Sequence, residues 1–428
     1  MIVLLLCYID PGTGSMLFTV LIAIIGSAIY LLQNVKIKVG VLFHKNKKDS
    51  FHKVPFCIYS DDKRYWTTFE PICDEFEKKE QKVLFLTSSK DDPALNKQYS
   101  FIRCEYIGEG NKAFARLNFL KANILLATTP GLDVYQWKRS KNVDWYVHIP
   151  HAATDITMYR MFGIDYYDAI LLSGEYQKEQ VRELETLRNL PSKELRIVGI
   201  PYMDAMKRRL KNSADKGLPT IKEERTVLLA PSWGKSAILS KYGSKMIDAL
   251  IATGYHVIVR PHPQSFKSEK DMLDKLMDKY GDKVEWNRDA DNCEVLNKSD
   301  IMISDFSGVI FDFALVFDKP IIYADTSYDK APYDCCWSKE ELWTFNTLPK
   351  LGFKLNEDEF SHLKDIIDTC IEDEKFKLAR EEARKETWEE TGNGSINTVT
   401  YLMEKYGEIL TKRDLCVENA TTLKAQSA

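Results

Sequence analysis

Short apolar runs alternate with longer stretches in which apolar residues return every three or four positions, and this alternation repeats along most of the chain. In the first half the runs are 54–59, 83–87, 124–128, 145–148, 169–173 and 195–198. Continuous apolar runs of this length read as buried strands. Between several of them, 65–79, 175–187 and 204–210 carry helical spacing. A polar stretch, 211–224, contains Gly217 and Pro219 and reads as a linker. The pattern then restarts with an apolar run from Thr226 to Trp233, a helix at 240–252, a strand at 256–259 and a helix at 272–280. A strand at 284–286 and a short helix at 293–298 follow. Next come a strand at 301–303, helical spacing from Val309 to Phe317 and a strand at 321–323. Residues 337–354 are aromatic-rich without a period and are expected to pack between domains, and helices at 364–372, 374–387 and 396–406 close the series. Strands alternating with helices predict an α/β fold with two largely parallel sheets. The expected division is 1–35 as an amino-terminal segment, 50–212 and 225–390 as two Rossmann-like domains, and 391–428 as a last helix and polar tail.

Composition changes the picture little. Of 428 residues, 44% are hydrophobic and 29% charged, with net charge −4, so nothing argues for nucleic-acid binding. Nine cysteines form no C-x-x-C pair, so neither a zinc ribbon nor a thioredoxin-type site is indicated, and the odd count and long chain favour a reducing compartment. Cys335 and Cys336 read as buried thiols. The amino terminus changes more. Residues 16–32 are 17 residues without a charge. As a helix they would span about 25 Å, the short end of a membrane crossing. Asp10 precedes the run, and Lys36, Lys38, Lys45, Lys47 and Lys48 follow it. The expectation is a single transmembrane helix in the cell membrane, with the catalytic body cytoplasmic and the lysines near an anionic membrane surface. A buried or interfacial helix is the alternative.

Candidate chemistry gathers where strands end, because ligands bind at the carboxyl edge of a parallel sheet. Ser304-Asp305-Phe306-Ser307-Gly308 joins a strand to a helix. Ser307 is placed to cap that helix, and the amides of Gly308 and Val309 would suit a diphosphate. A capped helix that binds nothing fits the same residues. His148 and His151 follow another strand. An imidazole there could activate a hydroxyl, or both rings could be satisfied within the loop. Pro150 opposes a metal-binding pair. Arg260-Pro261-His262-Pro263 brings a guanidinium and an imidazole to a stiff turn, suited to phosphate or to a surface ion pair. Gly199-Ile200-Pro201 reads as structural, with Asp204 capping the next helix.

In order, Pro150-His151-Ala152, Gly199-Ile200-Pro201 with Asp204, Arg260-Pro261-His262-Pro263, and Ser304-Asp305-Phe306-Ser307 with Phe311-Asp312 resemble the CDP-glycerol glycerophosphotransferase family, which includes wall teichoic acid primases and polymerases. The resemblance covers about 144–323, with a weaker part at 390–395. It implies a GT-B architecture whose second domain holds the nucleotide. It also implies transfer of an alditol phosphate, glycerol phosphate first among them, from a CDP-activated donor to a membrane-linked or glycan acceptor, with CMP released. On this resemblance His151 is the general base, and Arg260 and His262 hold the donor phosphates, His262 thereby sharing in catalysis. Ser304, Asp305, Ser307 and Gly308 meet the donor at the helix start. Asp312 follows on the same helix as donor contact or buried support, and His148 is a further substrate-binding candidate. The first motif lacks the family's tryptophan and glycine, Gly308 stands for its second serine, and Gly392-Asn393-Gly394-Ser395 is a reduced form of its last motif. Two other readings stay open: a sugar-nucleotide glycosyltransferase or epimerase, and a catalytically silent, membrane-tethered nucleotide-binding protein. No metal cluster is evident, although magnesium carried by a diphosphate needs few protein ligands. A homo-oligomer is compatible with the sequence.

Overall fold

A computed structural model describes residues 53–214, 224–289, 291–324 and 327–426. Seven strands form the first sheet: β1 (Val54–Ser60), β2 (Val83–Thr87), β3 (Ile102–Tyr106), β4 (Ala122–Ala127), β5 (Val143–His148), β6 (Ala169–Leu172) and β7 (Glu194–Ile197). Their order is β3-β2-β1-β4-β5-β6-β7, and every pairing is parallel. Six more form the second: β8 (Thr226–Leu229), β9 (His256–Val259), β10 (Glu285–Trp286), β11 (Ile301–Ser304), β12 (Ile321–Ala324) and β13 (Gly352–Leu355). Their order, β10-β9-β8-β11-β12-β13, is again wholly parallel. Helices cover both faces, so central strands such as β4 and β11 are buried at every residue. That is why they appear in the sequence as unbroken apolar runs.

The two strands that the pattern does not announce, β3 and β13, are edge strands. β3 buries only Ile102 and carries Arg103 and Glu105. β13 buries only Gly352 and Leu355. β13 and the helix Trp343–Leu351 occupy much of the aperiodic stretch. Gly352 admits no side chain, since a Cβ there would lie 2.1 Å from the carbonyl oxygen of Ile321. Gly352→Ala is expected to lower stability by about 1–3 kcal/mol, the usual cost of forced overpacking; thermal unfolding checks it. The helix predicted at 240–252 is two helices, Ile238–Tyr242 and Ser244–Ala252, broken at Gly243. Both halves bury apolar residues in one core, and this keeps the spacing continuous across the break. Cys335 is buried as expected, whereas Cys336 is exposed.

Two features bind the lobes. Asp155, in the first, accepts hydrogen bonds from the amides of Trp343 and Thr344, each 2.8 Å. Asp334, from the second, accepts from the amides of Phe162 at 2.7 Å and Gly163 at 3.2 Å, and pairs with Arg188. The stretch 337–354 thus does meet both lobes. The last helix, Gly394–Gln426, returns to the first sheet, where Val399, Tyr401 and Leu402 join Phe56 and Phe76 in the core. Asp204 does not start its own helix, which begins at Pro201. Its carboxylate instead accepts from the amides of Gly392 (2.6 Å) and Gly394 (2.8 Å) and from the Trp388 indole (3.0 Å), and so caps the returning helix. The expected transmembrane segment, 16–32, lies outside the described residues. Among those described, no helix is long and apolar enough to cross a membrane.

Candidate active site between the two sheets

Loops leaving the carboxyl ends of β1, β5, β8, β9 and β11 line one cavity of about 290 Å³. The first lobe supplies Arg64, Tyr65, His151 and Ala152; the second supplies Arg260, His262, Ser307, Gly308 and Asp312. The lobes come close here: a Cβ on Gly308 would stand 3.0 Å from that of Ala152. Backbone-to-side-chain contact this near leaves room only for glycine without a shift of one lobe.

Of the two imidazoles in this cavity, His262 has its hydrogen-bonding polarity set by a backbone amide. His262 Nδ1 accepts the Gln264 amide at 3.1 Å. In the neutral ring the proton is therefore on Nε2, and His262 is a donor toward the cavity. His151 Nδ1 lies 3.0 Å from Thr128 Oγ1. A proton held there and donated to Thr128 leaves Nε2 as a base. Tyr65 packs on the His151 ring at 4.6 Å between centroids. Burial, then the Arg64 guanidinium, holds His151 down at about 4. Burial, then Arg64, His151 and Arg260, brings His262 to about 4 as well. Both rings are thus neutral at physiological pH.

A pH profile follows. If His151 serves as a base it must be unprotonated, so activity would be lost as pH falls through its pKa and retained above it. For free protein, the limb that His151 gives kcat/KM should lie near pH 4, well below the ordinary histidine value of about 6.5; a limb nearer 7 belongs to Asp312, whose carboxyl lines the same cavity, and should be absent in Asp312→Asn. A bound anionic donor favours the charged imidazole, so the same limb in kcat should move to higher pH. A limb at the ordinary histidine pH that persists in Asp312→Asn would contradict this arrangement.

Arg260 is fixed before any ligand arrives. One Nη donates to the side-chain oxygen of Asn287, and the other to the Asp289 carbonyl at 2.9 Å. Burial lowers its pKa. Arg64 was not singled out by the sequence, though it stands just beyond β1 at the same kind of strand end as the other site residues. Its buried Nε has no hydrogen-bond partner among the described residues. Its field reaches both histidines.

The expected donor turn divides into lining and support. Ser307 and Gly308 line the cavity. Ser307 does not cap the helix with its side chain; Gly308 is the cap residue, without a side-chain bond. Asp305 is buried and holds the turn from beneath, accepting from the amides of Ser307 (3.1 Å), Ser232 (2.9 Å) and Ile238 (2.9 Å). Burial pushes its carboxyl up to about 6 against those bonds. Ser304 is also buried, donating to the Ala230 carbonyl at 2.6 Å. Neither Ser304 nor Asp305 lines the cavity. Asp312 does, and accepts from the Tyr202 hydroxyl at 2.9 Å; burial pushes it up to about 7. It opens a π-helical turn, Asp312–Val316, a form frequent near functional sites. His148 is not brought to the cavity. It is wholly buried, with Nε2 3.2 Å from the Tyr159 hydroxyl, and burial lowers it to about 3. Its place at the buried end of β5 makes it a packing residue rather than a substrate contact. Among the described residues, no group of three or more His, Cys, Asp or Glu is placed to hold a metal ion.

Two parallel-sheet, Rossmann-like domains enclosing a site at their strand ends form an architecture consistent with GT-B. Residues 136–396 match the family described as CDP-glycerol:poly(glycerophosphate) glycerophosphotransferase, and the chain belongs to that family. Over 249 residues it is 25% identical to the teichoic acid glycerol-phosphate primase of Bacillus spizizenii. The match covers 56% of this chain and spans 59% of that primase's length. A solved structure of the wall teichoic acid polymerase TagF is similar with TM-score 0.58 and 16% identity, over 90% of this chain and 97% of that one. S. aureus MnaA, solved with UDP, is similar with TM-score 0.54 and 12% identity, over 83% and 98%. At such identities the likeness shows the fold alone, since one fold hosts many chemistries.

Proposed function

We propose that this chain transfers glycerol phosphate from CDP-glycerol to an acceptor hydroxyl and releases CMP. The observation that carries the reading is the pair of neutral imidazoles, one per lobe, that line one cavity with Arg64 and Arg260. The acceptor oxygen attacks the phosphorus that bears glycerol. A new P–O bond forms as the bond from that phosphorus to the CMP oxygen breaks. His151 Nε2 takes the proton of the attacking hydroxyl. His262 Nε2–H, Arg260 and Arg64 hydrogen-bond to the diphosphate oxygens, where negative charge grows on the leaving CMP. Ser307 and Gly308 bound the donor; Ser304 and Asp305 act by holding that turn. The second sheet is the nucleotide-holding domain in this reading, and 16–32 anchors the protein in the membrane of a cell that builds a surface polymer.

The test is CMP release by purified protein supplied with CDP-glycerol or CDP-ribitol, together with thermal shift by CDP and UDP. Release from CDP-glycerol and stabilisation by CDP are expected. Stabilisation by UDP alone would move the chain to sugar-nucleotide chemistry. CDP binding without turnover would make it a silent nucleotide-binding protein. For the anchor, protein should stay in the membrane pellet through alkaline carbonate extraction; recovery in the supernatant would remove it.

A further inference from the structure

We propose that the seam between the lobes carries a second ligand site, separate from the catalytic cleft, that binds a linear polyamine; this stands apart from the transfer reaction proposed above. The site is a cavity of about 470 Å³. Its size falls within the roughly 300–1,000 Å³ of small-molecule sites. One wall is the first-lobe helix Glu175–Arg188; the other is the second-lobe stretch 338–346 together with Glu386. Neither His151, His262 nor Arg260 lines it.

The lining is charged in one sense only. Asp155, Glu179, Glu183, Glu340, Glu341 and Glu386 supply carboxylates, and no Lys, Arg or His lines the cavity. Asp155 is engaged by the Trp343 and Thr344 amides, Glu341 by Lys330 at 3.3 Å, and Glu386 by the Trp343 indole at 3.1 Å. The carboxylates of Glu179, Glu183 and Glu340 have no hydrogen bond or ion pair among the described residues. Glu179 and Glu183 stand one turn apart on the same helix, a like-charge pair that by itself weakens a helix. The second lobe brings Glu340 to the same cavity. The cavity also holds a neutral group without a partner. Thr157 lines it and is 1% exposed, and its Oγ1 makes no hydrogen bond among the described residues. That hydroxyl is the one polar group its side chain can offer a ligand. A buried hydroxyl left unpaired is costly, and an ammonium N–H in the cavity would satisfy it.

The arrangement selects among cations. A metal ion needs several donors converging on one point, and among the described residues no group of three or more His, Cys, Asp or Glu does so. A quaternary ammonium needs open aromatic faces. Trp343 is already packed on Tyr176 at 4.3 Å and on Phe311 at 5.0 Å. A quaternary ammonium also carries no N–H for the carboxylates or for Thr157. A polyamine meets each demand. Its ammonium groups are spaced by methylene segments, so they reach carboxylates on opposite walls, and each donates N–H to oxygen. The methylenes pack on Tyr176, Leu342 and Trp343, the apolar part of the lining. Bound across the seam, the polyamine ties the first-lobe helix to the second lobe and relieves the repulsion among the carboxylates.

The experiment is isothermal titration of the full chain with spermidine, at about 0.15 M salt to screen loosely held counter-ions. Saturable one-to-one binding is expected, with a melting temperature that rises with spermidine concentration. The double variant Glu179→Gln/Glu183→Gln should weaken binding about tenfold. Thr157→Val, which keeps every charge, should weaken it about threefold through loss of the one neutral acceptor. No saturable binding to wild type would overturn the site, and so would unchanged affinity in either variant. Magnesium matching spermidine at the same ionic strength would mark a diffuse counter-ion effect and remove the site as well. Tetralysine binding more tightly than spermidine would give the cavity to a protein segment and overturn the polyamine assignment. CMP release plays no part in these readings, so they stand or fall separately from the transfer reaction.

Discussion

Replacing His151 with alanine is expected to slow CMP release by about 10²–10⁴-fold, the usual contribution of a positioned general base. The fold should survive. His151 is only partly buried, and the bond it gives up is to Thr128, a hydroxyl that water can satisfy in the opened space. The low-pH limb of the activity profile should vanish with the ring, a change that a merely structural defect would not produce. His148→Ala is the informative contrast. That ring is wholly buried against Tyr159 and Tyr167, so its loss should lower the melting temperature. Full CMP release from His151→Ala, at wild-type pH dependence, would remove the base from the mechanism.

Arg260→Ala should cost about 10²–10³-fold in kcat/KM for the donor, in line with roughly 2.7–4 kcal/mol for one lost charge-stabilising donor. The size of the effect follows from preorganisation. Asn287 and the Asp289 carbonyl already hold the guanidinium in place, so none of its orientation has to be bought from donor binding. Arg260→Lys should restore little, because an ammonium on a flexible stem cannot keep both anchors and still present a fork to the diphosphate. The measurement is the donor dependence of CMP release with acceptor saturating, beside the affinity for CDP. Equal activity of Arg260→Lys and wild type would mean that only net charge matters there.

Much of the fold was legible because parallel sheets covered on both faces write themselves as apolar runs; β4, β8 and β11 are such strands. The edge strands β3 and β13 were not, since solvent on one side admits Arg103, Glu105 and Lys354. Within the site, Arg260, His262, Ser307 and Gly308 could be read because proline, glycine and hydroxyl residues mark the ends of their strands. His148 and His151 differ by three positions, and pattern alone could not tell which one stays under the sheet. Nor could it separate the residue that lines a turn from the one that supports it, as Ser307 and Asp305 do, because that distinction depends on which neighbouring amides a carboxylate reaches. Arg64 was missed for a related reason: Asp61-Asp62-Lys63-Arg64 looks like an ordinary solvated charge run until the other lobe closes over it.

The returning helix has a consequence for how the chain is made. Val399, Tyr401 and Leu402 complete the core of the first sheet, and Asp204 holds the entry to that helix. A ribosome therefore releases the front half of the molecule with one side of its interior still bare, and that side stays bare while the whole rear half is synthesised. Until residues past Gly394 emerge, the nascent front half must be shielded by a chaperone or tolerate its own stickiness.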